Sequence, residues 1–293
     1  MSKKIKLGVV GLDGHGPVFI NEIKSGLGKT IGAEVVSAMP VPSVMVSAKQ
    51  LRKNTAKAAA LGAKITGDPA ELAASADGVL ILHDDGSKHL ELARLFADKG
   101  KPVFVDKPIE ANAAAARKLV SLFEKHKCPL FSASCLRFSP ELTASLDNKA
   151  GGEILSAMTW APYILRPTMP GWIYYGIHAV EPLFQILGPD YKSVRCVPGK
   201  HGPVIIGEWS GGRTGMAKGT AGGHHGYGFT VWREKANETK NIDVKNIYHA
   251  LLKNIAAFFK TGKAPVSPRE SAAVIAFMEK ANKSLENNGE PFR

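Results

Sequence analysis

Two side chains in this sequence stand where small-molecule chemistry needs them. The first is Lys107, in the run Val103-Phe104-Val105-Asp106-Lys107-Pro108, where a short apolar stretch ends on an acid, a lysine and a proline. The carboxyl edge of a buried strand is where open α/β sheets bind ligands. Asp106 sets the field around the ammonium, and Pro108 stops the strand and fixes its exit. Partial burial can lower the pKa of such a lysine enough for acid–base work. The second is His178, in Gly176-Ile177-His178-Ala179-Val180-Glu181. It lies near the start of an apolar helix, and Glu181, three positions on, can face the same cleft. The imidazole can exchange a proton with a hydroxyl or carbonyl, while Glu181 can fix its tautomer or contact the substrate. Two plainer readings stay open: a lysine paired with Asp106, and a histidine satisfied in a core. A His-x-x-Glu pair can also hold a metal, with His201, His224 or His225 as a third ligand.

A glycine-rich turn, Gly11-Leu12-Asp13-Gly14-His15-Gly16, follows the first expected strand and precedes a helix. That is the context of the dinucleotide fingerprint G-x-G-x-x-G, whose turn presents a helix N-terminus to an anion. The first and third glycines are present, and Asp13 replaces the second. A carboxylate there would repel a pyrophosphate by about 3 kcal/mol at about 5 Å and an effective dielectric near 20. His15 can offset that charge or donate to a phosphate. The second strand ends on Met39-Pro40-Val41-Pro42-Ser43, without the acid that holds the ribose hydroxyls of NAD, and Lys49, Arg52 and Lys53 follow. That pattern tilts a dinucleotide site toward NADP. His83, in the polar loop after the fourth strand, and His89 beyond it belong to the same sheet edge, so they join Asp106 as candidate cofactor contacts.

Tyr163, Arg166, Trp172, Tyr174 and Tyr175 cluster before the His178 helix. Aromatic rings beside an arginine suit a sugar-like or anionic substrate; packing between domains is the alternative. Gly222-Gly223-His224-His225-Gly226 reads as a turn between strands.

These residues need a scaffold. Up to residue 134 short apolar runs (5–10, 34–39, 65–66, 77–82, 102–105 and 130–134) alternate with helical segments. That alternation predicts a Rossmann-type, doubly wound parallel sheet. Afterwards the rhythm changes. Strand-like runs at 154–161, 193–197, 204–209, 214–219 and 227–232 accompany a helix over 178–187 and two closing helices over 244–261 and 268–287. This predicts an open, mainly antiparallel sheet with helices on one face. The expected division is a dinucleotide-binding domain over 1–132 and an α+β substrate and oligomerisation domain over 133–293.

Bulk composition narrows the function classes. With 293 residues and 44% hydrophobic content the chain can bury two cores. No apolar run approaches the roughly 18 residues of a membrane span. The basic start Met1-Ser2-Lys3-Lys4 leads into a strand broken by Lys6, which differs from a secretory signal. Cys128, Cys135 and Cys196 show no metal spacing and are odd in number, which suits a reducing, cytoplasmic setting. The net charge of +12 is spread along the chain without a basic block or an interleaved aromatic tract. It favours an anionic small molecule over nucleic acid.

Taken in order, several motifs resemble the Gfo/Idh/MocA oxidoreductase family. They are the turn Gly11–Gly16, Ala76-Asp77-Gly78-Val79-Leu80-Ile81 followed by His89, and Val105-Asp106-Lys107-Pro108 for the family's Glu-Lys-Pro. Arg137-Phe138-Ser139-Pro140, Gly176-Ile177-His178 and Thr261-Gly262-Lys263-Ala264-Pro265-Val266-Ser267 complete the series. The resemblance covers nearly the whole chain. It implies an NAD- or NADP-dependent hydride transfer to or from a sugar-like alcohol or ketone, with Lys107 and His178 as the catalytic pair. It also implies homo-oligomers formed through the second sheet, and it brings Arg137 into the candidate substrate set. Three departures stand out: Asp13 in the turn, no acid after strand two, and Tyr174 where many relatives carry an aspartate. They keep two other classes in view, a non-catalytic sensor of a nucleotide or sugar and a metal-assisted lyase or hydrolase using His178 and Glu181.

Overall fold

The computed structural model describes residues 4–293, so Met1, Ser2 and Lys3 of the basic start lie outside the described residues. The chain folds as two compact units.

The first unit holds a six-stranded parallel sheet: β1 (Ile5–Val10), β2 (Ala33–Met39), β3 (Lys64–Ile65), β4 (Gly78–Ile81), β5 (Val103–Val105) and β6 (Leu130–Phe131), in the order β3-β2-β1-β4-β5-β6. Strands buried on both faces need continuous apolar runs. Accordingly Leu7, Val9 and Val10 of β1, all of β4 and all of β5 are buried. The strand order reverses between β1 and β4, and the crevice at the carboxyl ends of such strands is the ligand position of this architecture. The turn after β1, the loop after β4 and Asp106-Lys107 after β5 all lie at that edge.

All but the first residue of the helix Ile247–Thr261 belongs to this unit, whose described residues are 4–110, 114–133 and 248–272. The expected boundary after residue 132 therefore captures only one of several crossings. The reason is packing. Phe258 is fully buried against Phe131, Phe259 lies on Gly78, where no side chain would fit, and Lys260 donates to the Ile31 carbonyl.

The second unit carries a six-stranded mixed sheet of β7 (Ile154–Pro162), β8 (Tyr191–Val197), β9 (Val204–Trp209), β10 (Thr214–Thr220), β11 (Gly228–Arg233) and β12 (Asn237–Asn241). Its order is β12-β11-β7-β10-β9-β8; the central β7–β10 pair is parallel and the other pairs are antiparallel. Alternate residues such as Ala157, Thr159, Ala161 and Ala217 are fully buried, and the helix Ile177–Leu187 packs on this sheet. Thr159 Oγ1 donates to the Ala179 carbonyl at 2.7 Å, tying the helix to β7. Two elements escape the sequence pattern. Strand β12 reads Asn-Glu-Thr-Lys-Asn and is an exposed edge, and the helix Pro140–Asp147 has too short an apolar stripe to signal itself. Among the described residues no helix is long and apolar enough to cross a membrane.

Candidate functional site

The turn after β1 is shaped by close approaches. Gly11 has φ +90°, and a Cβ there would lie 2.6 Å from the His83 backbone nitrogen. A Cβ on Gly16 would collide with the Gly11 carbonyl oxygen. The helix His15–Glu22 thus starts directly under the strand end. Its N-cap is Gly14, and no side chain caps the first turn. Free helix N–H groups favour an anion.

Asp13 does not face that helix start. Its side chain is buried and both carboxylate oxygens accept the Asp84 backbone N–H, at 3.1 and 3.2 Å. The His83 ring stands 3.8 Å away. The expected repulsion assumed a carboxylate aimed at the anion; here it is drawn into the loop after β4 instead. His83 ties three loops together. The Asp85 N–H donates to its Nδ1 at 3.2 Å, so Nε2 carries the proton and donates to the Pro42 carbonyl at 3.1 Å. His89 is fully buried, with its ring nitrogens 2.9 Å from the Pro108 carbonyl and 2.7 Å from the His83 carbonyl. Both histidines therefore brace the sheet edge through backbone carbonyls.

His15 joins the turn to Asp106. Its Nδ1 lies 2.6 Å from Asp106 Oδ2, its ring stacks on Phe19, and Tyr248 Oη is 3.2 Å from its Nε2. Burial pushes the Asp106 carboxyl up, but the charge and hydrogen bond of His15, with Lys107 and His89 nearby, outweigh it and hold the group at about 2. Lys107 beside it is 3% exposed. Because the folded value lies below the ordinary 3.8, Asp106 adds stability above about pH 4 that is lost as pH falls toward 2. A shift of that size is worth on the order of 2 kcal/mol. Urea unfolding between pH 4 and 2 should weaken the wild type more steeply than Asp106→Asn, by about that amount.

The second unit gathers a different cluster. Ser134 Oγ lies 2.7 Å from His178 Nδ1, and the Ser134 N–H donates to Glu181 Oε2 at 2.9 Å. Arg137 Nε donates to the same Glu181 oxygen at 2.6 Å, and its NH1 donates to Gln185 at 3.0 Å. Arg137 and Glu181 are both buried. Glu181 therefore anchors Ser134 and Arg137; the group opposite His178 Nδ1 is Ser134, which motif reasoning passed over. Arg137, expected near substrate, is held inside this network. Among the described residues no three His, Cys, Asp or Glu side chains gather to hold a metal. His201, His224 and His225 are exposed.

Around His178 the rings are Tyr175, at 4.8 Å between centroids, and Tyr227, at 6.1 Å, whose hydroxyls meet at 3.0 Å. Tyr227 sits beside the Gly-rich turn and was not singled out by spacing. Arg166 is exposed and stacks over the buried Tyr174 at 5.2 Å. Trp172 is fully buried and its indole N–H donates to Cys196 Sγ, so it packs the core and is not presented to a ligand. Tyr163 packs edge-on against it; burial and the nearby Cys196 push the phenol up to about 12.

The residues at the first sheet edge fit a dinucleotide. The uncapped helix start suits its phosphates, Gly11 and Gly16 let the turn pack so closely that a Cβ on either would strike neighbouring backbone, and Asp106 Oδ1 is buried with no hydrogen-bond partner. A parallel sheet in this order with such a turn defines the Rossmann class of nucleotide-binding proteins. Residues 5–134 match the model of the Gfo/Idh/MocA oxidoreductase family with an NAD-binding Rossmann fold. No curated protein matches the chain in sequence. Solved structures share the whole fold. GenD2 from gentamicin A biosynthesis, in complex with NAD, is 15% identical, with a TM-score of 0.83 and coverage of 100% of this chain and 97% of that one. A myo-inositol dehydrogenase from Corynebacterium glutamicum is 14% identical, with a TM-score of 0.83 and coverage of 99% and 98%. The WlbA dehydrogenase from Bordetella pertussis, in complex with NADH and UDP-GlcNAcA, is 16% identical, with a TM-score of 0.77 and coverage of 99% and 98%.

Proposed function

We propose that this protein is an NAD(P)-dependent dehydrogenase or reductase acting on a sugar-like or polyol alcohol or ketone, with Lys107 and His178 handling the proton. The observation that carries this reading is the Gly11–Gly16 turn between β1 and a helix start that no side chain caps, with Asp13 turned into the neighbouring loop. Gly11, Gly14 and Gly16 would hold the pyrophosphate, and the Asp106 carboxylate offers an acceptor to a hydroxyl or amide donor. The nicotinamide, when bound, supplies the hydride acceptor or donor. Lys107, after β5, is assigned to orienting a substrate oxygen with its ammonium, and His178, on the helix Ile177–Leu187, to taking or giving the hydroxyl proton. Tyr175 and Tyr227 flank His178 with rings and hydroxyls, a combination that suits a polyhydroxylated ligand.

The absence of an acid after β2 and the exposed Lys49, Arg52 and Lys53 support a preference for NADP. We assign homo-oligomerisation to the sheet face of the second unit bearing Met158, Trp160 and Met216, residues left half-buried on the side away from Ala157, Thr159 and Ala217. The test of activity is deuteride transfer. Purified enzyme with C4-deuterated NADH or NADPH and a panel of keto-inositols and keto-sugars should move the label onto the carbinol carbon. Label that stays on the nicotinamide with every member of the panel would refute the reading.

A further inference from the structure

The Ser134 hydroxyl faces the His178 ring. This residue is fully buried, so its hydroxyl must find its partners within the protein. A serine hydroxyl has one hydrogen to give and two lone pairs to accept with. The Leu136 backbone N–H, an obligate donor, takes one lone pair at 3.2 Å. The remaining contact is His178 Nδ1 at 2.7 Å. If Nδ1 carried a proton and donated, the Ser134 hydrogen would have no acceptor in a dry site. If Nδ1 is bare, the hydroxyl donates to it and the Ser134 hydrogen finds its acceptor.

The serine cannot swing out of this role. Its N–H is bound to Glu181, which Arg137 holds in turn, and Ser134 also starts the short helical turn Cys135–Phe138. Oγ is therefore held in its rotamer by the capping bond from the Leu136 N–H. A carboxylate in the same place could only accept, and would favour the proton on Nδ1.

We propose that Ser134 is a positioning residue that holds the neutral His178 ring as its Nε2–H tautomer. The ring then presents a hydrogen-bond donor at Nε2. A bare Nε2, which a base toward a substrate hydroxyl requires, is the disfavoured form. For the reaction, and resting on the function proposed above, His178 polarises a substrate carbonyl oxygen by donating to it.

The test reads the tautomer directly. In the full-length protein labelled with 15N-histidine, long-range 1H–15N correlation assigns the ring nitrogens, with His178→Gln identifying the signals. The wild type is expected to show a pyridine-like Nδ1 and a protonated Nε2, Ser134→Ala a mixed or reversed population, and Ser134→Thr the wild-type pattern. Carbonyl reduction should fall about tenfold in kcat for Ser134→Ala, with KM little changed, and recover in Ser134→Thr. A protonated Nδ1 in the wild type, or an Ala variant with an unaltered pattern, would overturn the assignment. The spectrum needs no substrate. If no reductase activity is found, the proposed reaction fails while the tautomer is still decided.

Discussion

Lys107→Ala will lower turnover by about 10²–10⁴-fold, the usual contribution of a positioned acid–base group. The fold should survive the change. Lys107 follows a strand whose core residues Val103, Phe104 and Val105 are untouched, and Asp106 keeps His15 as its direct partner. Reduced-nicotinamide binding should change little, because the anion cradle is built from Gly11–Gly16 and not from the lysine. Stopped-flow nicotinamide absorbance together with a cofactor titration separates these effects. A variant with full turnover removes Lys107 from the mechanism, and one that loses cofactor affinity alone makes it a binding group.

Arg137→Ala will destabilise the second unit by about 3–5 kcal/mol, because it strips the partner from a buried carboxylate. Arg137 and Glu181 meet at 2.6 Å with side chains only 1% and 4% exposed. An unpaired Glu181 would also loosen its hold on the Ser134 N–H and, through Ser134, on His178. Urea unfolding of Arg137→Ala and Glu181→Gln should show losses of similar size, with the double variant far from additive. The sequence motif suggested a substrate-facing arginine. If Arg137→Ala instead kept full stability and raised KM alone, that first reading would stand.

Much of this arrangement is legible in the amino-acid sequence. The continuous apolar runs of β1, β4 and β5 announce strands buried on both faces, and a glycine-rich turn after the first of them announces the ligand edge. Long-range pairing was not legible. Asp13 looked like a defect because its partner, the Asp84 N–H, is 71 residues away in sequence. Tyr248, which reaches His15, is separated from it by 233 residues on a helix that the pattern gave to the other domain. Periodicity shows which face of that helix is apolar, not which core receives it. Ser134 was silent for another reason: one serine after a strand has a dozen ordinary uses, and only its distance to Nδ1 distinguishes this one. Aromatic clustering overreached at Trp172, since a ring that fills a core and a ring that lines a cleft leave the same mark in a sequence.

The proposed chemistry requires the turn after β1 to hold a nicotinamide dinucleotide despite Asp13. Titrating the purified protein with NADH and with NADPH, followed by nicotinamide fluorescence and thermal shift, tests this most directly. Saturable binding with a rise in melting temperature, abolished in Gly16→Ala, is the expected result. No binding of either nucleotide at millimolar concentration by a folded wild type would contradict it.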